Sequence, residues 1–190
     1  YTTDFSADLT IMEEGTEFIG RVTNGGVLPM MTSCCPGWIK YMEYNYPDQL
    51  DHLSSCKSPQ QMFGALVKNY LPGKIGVPAQ NIFSVSIMPC VAKKYEMARP
   101  EMESENGRDV DAVLTTREAA RLFRLKNIDL AKLADEEFDT FMGEGTGAAR
   151  IFGTTGGVME AAIRTVAWKL TGGEMDTIDY EAARGYKGVK

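Results

Sequence analysis

The residues with most chemistry to offer are four cysteines, Cys34, Cys35, Cys56 and Cys90. Two are adjacent, and the set lacks the spacing of a small disulfide scaffold. Free thiols in a reducing compartment are the expectation, and with them a cytoplasmic protein. Pro36 suits the first position of a helix, so Cys35 is expected at or just before a helix N-terminus. Unpaired amides and the helix dipole there favour a thiolate, the form that ligates a metal. Cys34 must point elsewhere and is free for a different task. Taken alone, the pair also fits buried structural thiols.

Cys90 stands in Met88-Pro89-Cys90-Val91-Ala92-Lys93-Lys94-Tyr95-Glu96. Pro89 stops a strand and turns the chain. Lys93 follows three residues later, close enough to set an ammonium beside whatever Cys90 holds. The plainer alternative is a buried thiol and a solvated lysine pair. Glu14, Glu17 and Arg21 form another pattern. At about 100° per residue they fall within roughly 60° on one helix. Such a stripe suits a proton path, or else a solvated face with a Glu17–Arg21 pair. His52 lies in a polar stretch and is expected at the surface. Cys56 has no assignable role and defaults to a structural thiol.

These residues need elements to position them. Residues 6–24 read as a helix, capped by Ser6 and ended by Asn24-Gly25-Gly26. Val27–Thr32 reads as a short strand, followed by the helix at Pro36. Ser58-Pro59-Gln60-Gln61 starts a helix running to Tyr70, with Gln61 able to close a capping box. Ile82–Met88 and Val110–Leu114 read as buried strands. The second runs into a capping box, Thr115 to Glu118, and a helix over 116–126. The charged stretch 97–109 reads as a loop, and Leu130–Glu137 as a short helix or turn. Glycine-rich 143–157 leads to a helix over 157–171. Strands alternating with helices predict an α/β fold with a mostly parallel, four-stranded-type sheet flanked by helices. Ligands bind such sheets beyond the carboxyl ends of the strands, where both cysteine-bearing segments fall.

Composition narrows the function classes. Apolar residues make up 44% and charged residues 24% of the 190, as in a globular protein. The formal charge of -6 and the lack of a basic stripe argue against nucleic acid. No apolar run is long enough for a membrane span. A phosphate site in the glycine-rich GEGTGAARIFGTTGG at 143–157 is weakened by the lack of a Walker lysine and of GxGxxG spacing after a strand. The chain begins at Tyr1 without methionine and ends abruptly, so both ends read as cut points in a longer protein.

Six segments, in order, resemble the iron-only (FeFe) hydrogenases. They are MEEGTE at 12–17, TSCCPGW at 32–38, KSPQQMFG at 57–64, MPCVAKKYE at 88–96, VDAVLTTRE at 110–118, and Phe152-Gly153-Thr154-Thr155-Gly156-Gly157-Val158-Met159-Glu160. The resemblance covers nearly the whole chain and implies a single domain over 1–190, one lobe of the two-lobed catalytic domain. It implies a cofactor, the H-cluster: a 4Fe-4S cubane joined through a cysteine to a two-iron subcluster. Cys35 and Cys90 would be two of the four cubane ligands, and Cys34 the thiol that passes protons. Glu14, Ser54, Glu17 and Arg21 would carry the proton path. Lys93 would hydrogen-bond a cyanide. Met88, Pro89, Gln60, Phe152 and Gly153 would line the pocket, with residues 153–158 keeping side chains out of the cluster's way. Implied partners are a ferredoxin or other redox subunit, the maturation proteins and the remaining lobe. A hydrogen-sensing module and an iron–sulfur assembly protein are the neighbouring readings. The assembly relatives generally lack the thiol at Cys34.

The family's other two cubane cysteines come from a CxxxC segment that the pattern places beyond residue 190. Half of a soft-ligand set holds iron–sulfur weakly. The chain by itself is therefore expected to be apo and inactive. Iron and acid-labile sulfide analysis after attempted reconstitution checks this, and near-stoichiometric four-iron loading overturns it.

Overall fold

The computed structural model describes residues 1–178. The abrupt C-terminal end read from the sequence lies outside them. The helices come in chain order with two small sheets between them. Helix α1 is Thr3–Asn24, α2 Pro36–Asn45, α3 Pro59–Asn69 and α4 Leu71–Ile75. Strand β1 is Val85–Met88, α5 Ala92–Met97, β2 Glu103–Ser104, β3 Gly107–Arg108 and β4 Ala112–Thr115. Helices α6, Thr116–Leu125, α7, Gly147–Phe152, and α8, Gly157–Thr171, complete the series.

Local chemistry explains most boundaries. Thr2 caps α1 by accepting from the Asp4 amide, so the helix starts three residues before the predicted one. Ser6 is fully buried inside α1 and its hydroxyl donates back to Thr3 O at 2.9 Å. Ser58 caps α3 as expected, but Gln61 closes no box; its amide is buried without a partner. The Thr115–Glu118 capping box is complete. The expected turn after Leu130 is a single 3-10 turn, Leu130–Lys132.

The sheet is smaller than the sequence suggests. It is a two-stranded parallel pair, β1 with β4, and a separate antiparallel hairpin, β2 with β3, inside the predicted loop. The run from Val27 to Thr32 makes only one bridge, Met31 with Leu53, because Pro29 has no amide to give. The run at 82–88 joins β4 late. Lys68 Nζ takes the Ile82 carbonyl at 2.7 Å, and Ser84 O receives the Asp111 and Ala112 amides. The architecture is therefore mixed α/β and mostly helical, not a four-stranded parallel sheet.

Helix α1 is the axis of the molecule, packing against α3, α7 and α8. Its buried face is Ser6, Ala7, Thr10, Ile11, Glu14 and Gly15, recurring at helical spacing. An apolar cluster of Val67, Leu71 and Met142, with Phe5, Phe63, Leu66 and Ile82, fills the space beside α3. Two glycines allow close approach. A Cβ at Gly157 would sit 1.8 Å from Ile151 O, so the α7–α8 turn itself demands that glycine. A Cβ at Gly64 would sit 2.6 Å from Asp109 O and 2.7 Å from Val110 Cγ2. Gly64 is where α3 meets the strand entering β4, so backbone must move to admit a methyl group. Gly64→Ala should destabilise the protein by about 1–3 kcal/mol or more. A fall in the urea unfolding midpoint at unchanged slope is the expected result.

Candidate functional site

Two cysteine-bearing turns meet at one edge of the molecule. Cys35 is the N-cap of α2, with an extended backbone, and Pro36 occupies the first turn. Its backbone carbonyl accepts from Ile39 N at 3.0 Å, which leaves the thiol exposed. Cys90 follows β1, two residues ahead of α5, and is exposed too. Cys34 is half-buried.

Lys93 joins the two turns. Its Nζ donates to Cys34 O at 2.8 Å and to both oxygens of Glu96, at 2.9 and 3.1 Å. Glu96 is 4% exposed and also accepts from Ser58 Oγ at 2.9 Å and Gln60 Nε2 at 3.1 Å. Gln60 accepts in turn from Ser86 Oγ at 2.9 Å, on β1. The Cys34 turn, the start of α3, β1 and α5 are thereby held by one carboxylate. Sequence reasoning gave Glu96 no role. Its position three residues after Lys93, one helical turn on, was the available signal.

A second network leads away from Cys34. Glu14 is 1% exposed, and neither oxygen makes a hydrogen bond of ordinary geometry. Burial pushes its pKa up, partly offset by the Ser33 amide and the Ser54 hydroxyl. Glu17 has the opposite setting. Partial burial alone would raise its pKa, but the Ser54 hydroxyl, Arg21 and the Ser55 amide outweigh that and hold it below the usual carboxylate range. Ser54 Oγ donates to Glu17 Oε2 at 2.8 Å, and Arg21 donates to Oε1 at 2.6 and 3.1 Å. Arg21 also caps the carbonyls of Val27, Asp51 and Leu53. Burial, and then the charge of Glu14, push the Cys34 thiol up, against the pull of Lys93.

The structure thus brings together Cys34, Glu14, Glu17, Ser54, Arg21, Lys93 and Gln60. Met88 ends β1 and lines, with Gln60 and Phe63, a cleft of about 570 Å³; Pro89 beyond it is exposed. Phe152 and Gly153 lie at the end of α7, and among the described residues no hydrogen bond ties them to either network. His52 is half-buried rather than fully exposed, with Nδ1 2.8 Å from Pro29 O.

The sequence profile of the iron-only hydrogenase large subunit, C-terminal domain, matches residues 1–190. The chain belongs to this family. It is 53% identical to the NADP-reducing hydrogenase subunit HndD of Solidesulfovibrio fructosivorans, over 100% of the chain and 34% of that protein. It is 50% identical to iron hydrogenase 1 of Clostridium pasteurianum, over 98% and 33% respectively. It is 52% identical to the periplasmic Fe hydrogenase large subunit of Nitratidesulfovibrio vulgaris, over 100% and 46%. An apo variant of the FeFe hydrogenase HydA1 from Chlamydomonas reinhardtii superposes with a TM-score of 0.83 at 46% identity, covering 98% of this chain and 47% of that one. The chain spans about a third to a half of the length of these relatives. One of them is periplasmic by name, so family membership fixes no compartment.

FeFe hydrogenases carry the H-cluster. Two exposed thiols on neighbouring turns fit two corners of its cubane and no more. Among the described residues no three His, Cys, Asp or Glu side chains gather around one metal position. The donor set is half of one. No helix of the described residues is long and apolar enough to cross a membrane.

The Glu14 setting has a measurable consequence. A carboxyl with a raised folded pKa costs nothing below its unfolded value, where both states are protonated. The cost grows as pH rises toward the folded pKa and is constant above it. Glu14→Gln should therefore stabilise the protein at neutral pH. The gain should vanish as pH falls below about 4, the unfolded carboxylate range. Unfolding midpoints of the two forms across that window check the sign.

Proposed function

We propose that this chain is the proton-handling side of a catalytic FeFe hydrogenase domain, whose full form interconverts hydrogen with protons and electrons. The observation that carries the reading is Glu14, a buried carboxyl of raised proton affinity placed near both Cys34 and Ser54. A relay needs an inner acid whose proton affinity burial lifts above that of a surface carboxyl.

Cys34 holds its proton at Sγ, since burial keeps it a thiol. Glu14 exchanges that proton with the Ser54 side of the path. Ser54 donates to Glu17, which Arg21 keeps anionic and anchors at the outer end. Cys35 and Cys90 would hold two corners of the cubane. Lys93 would donate to a cyanide, while Met88, Pro89, Gln60, Phe152 and Gly153 would border the pocket. When bound, the H-cluster would supply the place where hydrogen is made or split and would pass the electrons to or from a redox partner. A redox partner such as a ferredoxin, the maturation proteins and the remaining lobe would complete the system. Free thiols at all four cysteines support a reducing, cytoplasmic setting.

Relatives of another kind match as well. The cytosolic Fe-S cluster assembly factor narfl of Xenopus tropicalis is 34% identical over 95% of the chain. The higher identity to hydrogenases and the presence of Cys34 favour the catalytic reading over assembly. Replacing Cys34 by Ala in the full-length, matured protein separates them. Hydrogen evolution should fall by about 100-fold or more with the cluster retained, the scale of a lost general acid–base group. Unchanged turnover would remove Cys34 from the mechanism.

A further inference from the structure

Cys56 lies outside every role assigned so far, yet it touches the proton path at two atoms and the turn before Cys34 at a third. Its amide donates to Ser54 Oγ at 3.1 Å. Its Sγ lies 3.7 Å from Glu17 Oε2, within reach for an S–H donor. Its carbonyl accepts from Ser33 Oγ at 2.7 Å, one residue before Cys34. From these contacts, and resting on the reading of the relay above, we propose that Cys56 is a positioning residue that orients Ser54 and Glu17.

The polarity of the path follows from the amide. Ser54 Oγ accepts from Cys56 N, so its own hydrogen is directed at Glu17 Oε2 at 2.8 Å. The Ser55 amide also reaches that oxygen, at 3.0 Å. Arg21 occupies Oε1, so the thiol is an additional donor to a carboxylate that is already charged. The thiol stays protonated: burial, then the charges of Glu14 and Glu17, push its pKa up to about 11. It gives a hydrogen bond without offering the relay a competing acid.

The charged groups around Glu17 and Cys56 are accounted for. Glu14 and Arg21 face them from α1. Across the adjoining cleft of about 210 Å³ lie Lys57, Glu96, Arg99 and Glu101. Lys57 pairs with Asp109, Glu96 with Lys93, and Arg99 with Glu43 and Glu101. Glu13, on the other side of Cys56, is exposed.

The test has two arms, both on the full-length protein. The S–H stretch of Cys56 is assigned in the infrared by difference against Cys56→Ala, and then followed in Glu17→Gln. It should move to higher frequency when the anionic acceptor is lost; an unmoved band overturns the contact. In the matured enzyme, Cys56→Ala should raise the midpoint of the acid limb of hydrogen evolution by about half a pH unit, because Glu17 loses a donor to its anion. Cys56→Ser should restore the midpoint. A uniform loss of rate with no shift of midpoint overturns the positioning role. The infrared arm is independent of turnover, so failure here is distinguishable from failure of the Cys34 reading.

Discussion

The site depends on one buried ion pair, Lys93 with Glu96. The lysine side chain is 14% exposed and the glutamate 5%. Removing either partner from such a pair costs about 3–5 kcal/mol, because the other charge is left buried alone. Here the cost would spread further. Ser58, which caps α3, and Gln60, which reaches β1, both donate to the same carboxylate. Lys93 also carries the Cys34 carbonyl. The Cys34 turn, the start of α3 and the β1–α5 region are thus registered against each other through this one pair. The two ligand-type cysteines need no contact of their own to be neighbours.

Around that fixed point the two glutamates of α1 occupy opposite extremes. Glu14 has no ordinary hydrogen-bond donor and Glu17 has several. Three residues apart on one helix, they differ because Glu17 draws the Ser55 amide and Arg21 as well as the Ser54 hydroxyl, while burial dominates at Glu14. At 53–56 the chain leaves a 3-10 turn and presents amides and a hydroxyl. The result is an inner group of raised proton affinity and an outer group of lowered proton affinity.

Much of this was legible in the sequence, and the exceptions have causes. Helix boundaries came from caps, since Ser58, Thr115 and Pro36 each satisfy or remove an orphan donor locally. Ser6 misled because a serine inside a helix also bonds its backbone, here to Thr3 O, and periodicity could not rank it below Thr2. The sheet was overestimated because apolar runs report burial and not pairing; Lys68 and Pro29 removed the ladder partners. The glycines before α8 were read as clearance for a cluster, whereas Gly157 is required by Ile151 O a few residues away. The site residues came from motifs. The groups that hold them, Glu96 and Cys56, did not, because their partners Gln60, Ser58 and Glu17 lie 36 to 39 residues away in sequence.

The meeting of α1 with α7 and α8 also governs how the molecule is made. Asp8 binds the Thr146 amide and hydroxyl across 138 residues, and Lys169 reaches Thr16 across 153. During synthesis α1 is made well before α7 and α8, and its buried face mixes Ser6, Thr10 and Glu14 with Ala7, Ile11 and Gly15. It waits for both later helices before α8 closes over Gly15. Long-range closure of this kind is slow and comes late. The drying of Glu14 is therefore tied to a late stage of folding. An incompletely translated or partly opened chain would leave that acid in water, with an ordinary proton affinity.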